Sequence, residues 1–444
     1  MRRSLLRYTR LLVLPLLAIG LFLTGCDSGG SNGGDDGIPL TSETARNLLT
    51  ADLKSQTDAV VGSDGDAFTE GELKTRYSGS VSEETILTAS RVGTPAQTQY
   101  ETDITLSSTV SGDALFGSDG LEAGVDAPSG ATGNQTPDAL INFYLEEIAS
   151  KSSADNVSSF NAHTTANEVN MSQLVNKLLL GALAYKEGAE KLNNVDGIAD
   201  EDEEKLETAA EYFGAPDDLE TFLDYTPGNE GLATSSEDVN DDSQVDFNTE
   251  FVHTWASYAS ERSAVAFNNG NSTQQDEDDY IRNAKEAIDD IRTAIENDDA
   301  SNIDVDAKAS TALENWEKVV AINVIHYLNS MKTDMENANL SSGDTVTKNA
   351  LETGGSESQR GGFNEHWGEA KPFAWALQYN PAKQITDSQL QNIHGELALG
   401  ASPPYNSNRG STVTKQDVVD SIENIKSTLA NVYNFDNSAN LEDW

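Results

Sequence analysis

The segment 361–381 places an imidazole and a carboxylate where they could act together. His366 is one of five histidines in the 444-residue chain, and Glu369 follows three positions later. On an α-helix, residues i and i+3 lie about 60° apart on one face, so the two side chains can approach one point. Neutral imidazole with carboxylate suits iron, zinc or manganese, provided that one or two further ligands join them. The alternative is a structural hydrogen bond between the pair.

The surrounding residues predict a helix over 364–378. Asn364 has the side chain of an N-cap and follows Gly361 and Gly362, which predict a loop. Pro372 has no amide hydrogen, so it should deprive the Gly368 carbonyl of its helical partner and kink the helix close to Glu369.

Two further histidines lie on predicted helices. We expect an antiparallel return of the chain to bring His394 near His366 and Glu369 as a third metal ligand. His326 lies in the apolar stretch 324–328, which favours a hydrogen-bonded core histidine over a ligand. Glu317 is nine residues before His326, about 180° around the helix, so those two cannot share a site.

The acidic segment 238–250 resembles a calcium-binding loop of the EF-hand or dockerin type. Oxygen-bearing side chains recur at loop positions one, three, five and nine. Ser243 replaces the usual turn glycine, and the last carboxylate falls one residue late. The candidate calcium ligands are Asp238, Asn240, Asp242, Asp246 and Glu250. The alternative is a chance run of Asp and Asn in an acidic chain.

The first 25 residues predict an export signal. Four arginines precede an apolar run over 11–23, which is short for a membrane span and typical of a signal peptide. The sequence Leu23-Thr24-Gly25-Cys26 resembles the lipobox of bacterial lipoproteins, which implies lipidation of Cys26 and attachment to a membrane. The alternative is an uncleaved anchor helix. Cys26 is the only cysteine, so its acylation excludes disulfides and thiolate chemistry.

The charge of the chain limits its partners. It has 74 acidic and 28 basic residues, a formal net charge of −46. Such a field repels nucleic acid and anionic lipid surfaces. It favours a solubility adaptation to high salt, with a cation-binding surface as the alternative. Residues 26–40 form a Gly/Ser-rich acidic linker that would separate the folded part from the membrane.

Apolar residues recur at helical spacing through most of the remaining chain, so we predict an all-α protein built from helical bundles. The almost entirely apolar segment 174–185 predicts a central buried helix. Residues 62–136 are rich in Gly, Ser, Thr and Asp, and we predict a largely irregular region there. The predicted helices span 42–58, 137–148, 169–192, 201–213, 250–267, 276–296, 305–335, 364–378, 387–399 and 415–432.

Several short motifs resemble those of an uncharacterised group of bacterial lipoproteins related to imelysin-like proteins. They are His366-Trp367-x-Glu369-Ala370-Lys371, Leu377-Gln378-x-Asn380-Pro381, Ile393-His394, Trp316-Glu317-Lys318-Val319, His326-Tyr327-Leu328-Asn329 and Tyr212-Phe213-Gly214-Ala215-Pro216. The resemblance implies paired helical bundles that arose by duplication, an envelope location and a role in iron or haem acquisition. The imelysin motif is Gly-x-His-x-x-Glu, and Asn364 replaces its glycine here.

A duplication would divide the folded part, 41–436, into halves of about 41–225 and 226–436, with 437–444 as a tail. The segments 206–216 and 367–374 are similar, and Lys205 and Thr208 would then take the places of His366 and Glu369. Coincidence explains so short a match equally well.

Three functions remain open. The first is a tethered envelope protein that binds a metal ion or metal complex, iron or zinc, near His366 and Glu369 and presents it to a transporter or receptor. The second is a structural or interaction lipoprotein in which the motif stabilises helix packing. The third is a metal-dependent hydrolase, although the sequence contains no His-Glu-x-x-His, Gly-x-Ser-x-Gly, Walker or Rossmann motif.

Overall fold

The structure is a computed structural model of the chain. The predicted signal peptide, the predicted linker and most of the predicted calcium loop lie outside the residues that it describes. It describes residues 41–58, 69–79, 104–117, 120–123, 135–152, 164–165, 169–197, 199–224, 232–233, 239, 246–268, 279–297, 300–338, 340–347, 357–398, 403–404, 412–435 and 438–444. Within these ranges, no helix is both long enough and apolar enough to cross a bilayer.

The all-α class is confirmed. The helices are α1 (Ser42–Asp58), α2 (Glu70–Ser78), α3 (Pro137–Ser152), α4 (Met171–Leu179), α5 (Lys186–Asn193), α6 (Ala199–Phe213), α7 (Leu219–Phe222), α8 (Thr254–Asn268), α9 (Tyr280–Glu296), α10 (Val305–Asn337), α11 (Glu357–Ala376), α12 (Asp387–Glu396), α13 (Lys415–Tyr433) and α14 (Ser438–Asp443). The described strands are two residues long and pair as β1 (Phe116–Gly117) with β2 (Glu122–Ala123), and β3 (Leu223–Asp224) with β4 (Leu232–Ala233). A short 3₁₀ turn, Ala300–Asn302, precedes α10.

The first central helix is the continuous segment from α4 to α5. Every residue from 174 to 185 is buried, as the apolar run predicts. Between α4 and α5 the helix widens into a π-helical segment, Leu180–Tyr185. The Leu180 carbonyl accepts a hydrogen bond from the Trp255 indole at 3.1 Å. A Cβ on Gly181 would lie 2.6 Å from the Cβ of Ala376, so glycine permits the close approach of α11.

The second central helix is α10, which packs against α9, α11 and α13. Its Glu317 side chain is fully buried and accepts hydrogen bonds from the Asn380 amide at 2.6 Å and the Tyr433 hydroxyl at 2.7 Å. The backbone amides of Gln384 and Ile385 also donate to it. This carboxylate therefore fixes the loop that leads from α11 to α12.

Helix α11 begins earlier than predicted, so Asn364 lies inside it and is buried. The prediction of an N-cap at Asn364 is wrong, because packing against α4 and α10 stabilises a turn that contains two glycines. The helix passes through Pro372 and ends at Ala376. A Cβ on Gly368 would lie 3.2 Å from the carbonyl oxygen of Asn170, so α11 closely approaches the start of α4 here.

Three other expectations need correction. Residues 62–136 contain α2, which Thr69 and Glu72 begin with a capping box. Helix α8 begins at Thr254 and not at Glu250, which lies in the preceding turn. Within the predicted tail, 437–444, the described residues 438–444 contain α14, and Trp444 is buried, so they are packed and not free. The signals of α2 and α14 were too short to register as apolar periodicity.

The duplication stays a prediction. The two apolar segments that precede the similar sequences both form central helices, but α6 ends at Phe213 before Gly214, whereas α11 continues past Pro372. Lys205 bonds the Asp202 carboxylate on its own helix at 2.8 Å. The site around His366 therefore has no evident equivalent around Lys205.

Candidate functional site

His366 lies at the border between the core and solvent, where α11 meets α10. Its Nδ1 atom is 2.7 Å from Oδ2 of Asp334, and the His366 side chain is 21% exposed. Among the described residues, this is the one hydrogen bond of the ring. Gly362 lies one helical turn earlier, and a Cβ there would lie 3.1 Å from the Asp334 carboxylate. The absence of a side chain at Gly362 thus leaves room for the carboxylate that orients the imidazole.

The protonation of His366 depends on this contact. Burial lowers the pKa of the imidazole, but the hydrogen bond and charge of Asp334 outweigh burial and raise the pKa above its usual value of 6.5. Glu369 and Glu365 add to the rise. Binding of a metal at His366 would therefore compete with a proton.

Glu369 is buried beside a lysine of the first central helix. Its Oε1 atom is 3.4 Å from Nζ of Lys177, and the two side chains are 9% and 6% exposed. The Lys177 ammonium also donates to the Tyr258 hydroxyl at 2.6 Å. The rings of Tyr258, Tyr327 and Phe373 surround it with centroids 5.2 to 5.7 Å away, within the range of cation–π attraction. Lys177 thus supplies the cation that neutralises Glu369.

Burial and neighbouring groups combine differently in setting the pKa of Lys177 and the pKa of Glu369. For Lys177, burial acts to lower the pKa, but Tyr258 and Glu369 outweigh it and the pKa is raised, so the ammonium stays charged. For Glu369, burial raises the pKa more strongly than Lys177 lowers it. We assign a charged pair, because a lone buried ammonium would be strongly unfavourable without its carboxylate.

A second imidazole and a guanidinium, those of His326 and Arg262, lie beside Tyr327. Nη1 of Arg262 is 3.0 Å from Nδ1 of His326. Burial, followed by the charge of Arg262, lowers the pKa of His326 well below its usual value. His326 packs edge-on against the Tyr327 ring at 5.0 Å, and His366 lies over the same ring at 6.5 Å. The expectation of a hydrogen-bonded histidine at His326 agrees with this geometry.

His394 lies on the opposite side of α11 and does not join His366 and Glu369. It stacks on Trp375, and its Nδ1 atom is 3.6 Å from the Glu122 carboxylate. Glu122 forms an ion pair with Lys371 at 2.7 Å, with both side chains fully buried. Lys371 is two residues after Glu369, about 200° around the helix, so the two clusters face apart.

The described residues of the predicted calcium loop engage the backbone. Glu250 accepts from the amides of Val239 and Asp246, each at 3.0 Å. Asp246 accepts from the Asn248 amide at 2.9 Å, and burial raises its pKa. Asp238, Asn240 and Asp242 lie outside the described residues. Calcium binding by this loop stays a prediction.

Sequence reasoning missed the partners of the motif, although one signal was present. Lys177 interrupts an otherwise apolar buried run, which indicates a paired charge. Asp334 carries no comparable signal in a chain so rich in acidic residues. In the described part of the chain, no three His, Cys, Asp or Glu side chains are grouped so that they could hold a metal ion. The chain matches no known protein family, no curated protein and no solved structure in the comparisons made.

The buried ion pair predicts a non-additive effect on stability. Lys177→Met or Glu369→Leu alone should lower the free energy of unfolding by about 3–5 kcal/mol, because each leaves an uncompensated buried charge. The double variant Lys177→Met/Glu369→Leu should lose clearly less than the sum. Chemical denaturation of all three measures this coupling. Lys318→Met, which breaks the 2.8 Å pair with Glu314 at the surface of α10, is the control and should cost under about 1 kcal/mol. Additive losses would argue against the pair.

The His366–Asp334 contact predicts a pH-dependent stability. A histidine whose pKa is raised by folding stabilises the protein fully below its unfolded pKa, near 6.5, and this contribution is lost as pH rises through the folded value. Asp334→Asn should lower the His366 pKa and remove that contribution. NMR titration of the ring and denaturation between about pH 5 and 9 test both effects. The control is Asp306→Asn, an exposed position on the same helix. A His366 that titrates equally in wild type and Asp334→Asn would contradict the assignment.

Proposed function

We propose that the chain is an exported, lipid-anchored envelope protein that binds a metal complex through His366. The proposal joins two separate features. The predicted signal peptide and the lipobox ending at Cys26 support export and attachment, and the acidic linker would hold the folded part away from the membrane. The charge of −46 argues against a nucleic-acid partner.

The observation that carries the binding proposal is the orientation of the His366 ring. The Asp334 carboxylate holds Nδ1 at 2.7 Å, so Nε2 is the nitrogen left for a ligand. Metal-bound histidines typically carry such a carboxylate on the other ring nitrogen, which fixes the ring and raises its basicity. The side chain is also partly exposed, so a ligand could reach it.

A metal complex fits this environment better than a bare ion. A bare zinc or iron ion needs three or four protein ligands. Glu369 is held by Lys177, and His394 lies beyond α11, so neither supplements His366. A complex that brings its own donors needs only one protein ligand at an open position. The resemblance to imelysin-like proteins favours iron as its metal, and a transporter or receptor in the envelope would be the recipient.

A structural role is the second candidate, and the Lys177–Glu369 pair favours it. This pair and the His366–Asp334 contact join α4, α8, α10 and α11 without any ligand. A metal-dependent hydrolase is the third candidate. It ranks behind the other two because it would need an activated water in addition to a bound metal. The same binding experiment separates the first candidate from the second.

The binding proposal predicts a histidine-dependent spectral change. The probes are ferric protoporphyrin and, separately, Zn²⁺ alone, added in high salt to the full chain carrying Cys26→Ser. Wild type should bind the porphyrin complex with the absorption shift of imidazole ligation and should bind Zn²⁺ weakly. His366→Ala should lose at least about tenfold in affinity, which is about 1.4 kcal/mol. His253→Asn is the control, because His253 bonds its neighbour Thr254 and lies outside the site.

Equal affinities in wild type and His366→Ala would overturn the assignment of the site. No binding by any form, together with a lower stability of His366→Ala, would support the structural candidate. Turnover of a peptide or ester only with bound metal would favour the hydrolase.

The anchoring proposal predicts a modified first residue. In a host that processes bacterial lipoproteins, wild type should yield an N-terminal peptide that begins at Cys26 and carries the mass of attached lipid. Cys26→Ser should remain unprocessed, because a hydroxyl does not replace the thiol in the acylation reaction. Ser28→Ala, two residues away, is the matched control and should be processed normally. Mass spectrometry of membrane fractions tests this, and an intact, unacylated N-terminus in wild type would favour the anchor helix.

A further inference from the structure

The last described segment, residues 438–444, closes over one end of the site and is called the strap below. Asn329 of α10 donates from its side-chain amide to the backbone carbonyls of Leu441 at 2.9 Å and Trp444 at 2.8 Å. Glu442 forms an ion pair with Lys426 of α13 at 2.6 Å. The Trp444 ring is buried and packs edge-on against Phe435, with centroids 5.1 Å apart.

The strap covers Arg262 and His326, which lie beside Tyr327. The Trp444 indole is 3.4 Å from the Arg262 carbonyl oxygen, and the Trp444 backbone lies beside the His326 ring. Arg262 is 4% exposed, and its Nη2 atom pairs with the Glu261 carboxylate at 2.7 Å. Its buried Nε atom has no hydrogen-bond partner among the described residues. A buried guanidinium N–H without a partner is unfavourable, because it has lost water without gaining an acceptor.

The strap is attached through ion pairs, hydrogen bonds and the packing of two side chains. The Glu442 side chain is 56% exposed, so its ion pair contributes little. Glu442 also lies 3.4 Å from the Lys332 ammonium. The other contacts are the two hydrogen bonds from Asn329, the contact of the Trp444 backbone with His326, the buried indole, and Leu441, which packs against the core. Without the strap, a slot beside Phe435 would present the Asn329 amide and the Arg262 guanidinium as donors. His326 and His366 both pack against the Tyr327 ring beside this slot.

We propose that the strap occupies the part of the His366 site that Arg262 and His326 form, and that a ligand must displace the strap to bind. This inference rests on the proposed function and describes the regulation of the same site. The displacing ligand has a flat apolar body, which takes the place of the Trp444 ring, and an anionic or carbonyl group for Arg262 and Asn329. Its metal is held by His366. Binding is therefore slower than diffusion, because the strap must first leave.

The test uses the full chain carrying Cys26→Ser, with two changes that release the strap in different ways. One deletes residues 438–444, and the other is Asn329→Leu, which removes both hydrogen bonds and keeps a side chain of similar size. The matched control is Thr333→Ala, one turn further along α10, where the hydroxyl bonds the Asn329 carbonyl and touches no strap residue. Circular dichroism checks that each form is folded.

Two readouts are recorded for each form. The first is the rate at which diethylpyrocarbonate modifies His326, measured by peptide mass spectrometry, and it needs no ligand. The second is the association rate of ferric protoporphyrin. Both should rise by about tenfold in the deletion and by less in Asn329→Leu, since opening frequency limits each rate, while Thr333→Ala should match wild type.

The outcomes separate the strap from the proposed function. An unchanged His326 reactivity in the folded deletion overturns the strap. A raised reactivity with an unchanged association rate overturns its role as a gate. A raised reactivity with no porphyrin binding by any form overturns the proposed function and the gate with it, and leaves only a cover over His326.

Discussion

The ion pair between Lys177 and Glu369 is the contact on which the central packing depends. Both groups are buried among aromatic side chains, where a charge without a partner costs several kcal/mol. The pair therefore forces α4 and α11 into one relative position. Tyr258 and Tyr327 bring α8 and α10 to the same ammonium, through a hydroxyl and a ring face. The charge of Lys177 thus determines which helices pack around α4.

Helix α11 lies between two buried polar clusters. One face carries His366 and Glu369 toward α4 and α10. The other carries Lys371, which bonds Glu122 and the Ala398 carbonyl, and Trp375, whose indole also donates to Glu122. Glu122 comes from the irregular region after α2, so this second cluster attaches that region to the helical core. One helix thereby organises parts of the chain that are more than two hundred residues apart.

His366 is less deeply buried than Glu369. In the buried part of the cluster, Lys177 neutralises Glu369. The imidazole, at the margin, is oriented by Asp334 and remains partly exposed. A single oriented donor of this kind selects for ligands that supply the rest of the coordination themselves. Arg262 and His326, which the strap contacts, extend the same polar environment.

The sequence by itself determined the helical class and most helix positions, because apolar residues at a spacing of three and four identify a buried helix face. It identified the buried run at 174–185 and placed His366 and Glu369 on one helix. It missed α2, whose nine residues hold only two buried apolar side chains, and it misplaced the start of α11, where tertiary packing stabilises a glycine-containing turn.

Only the tertiary structure decided which partners these residues have. Periodicity shows that a face is buried but not which helix covers it, so the pairing of Glu369 with Lys177 and of His366 with Asp334 could not be read from spacing. The same limit explains His394, whose helix returns on the opposite face of α11 because Glu317 fixes the intervening loop. Local sequence set the chemical groups and their spacing along each helix, while long-range packing of buried charges set the site.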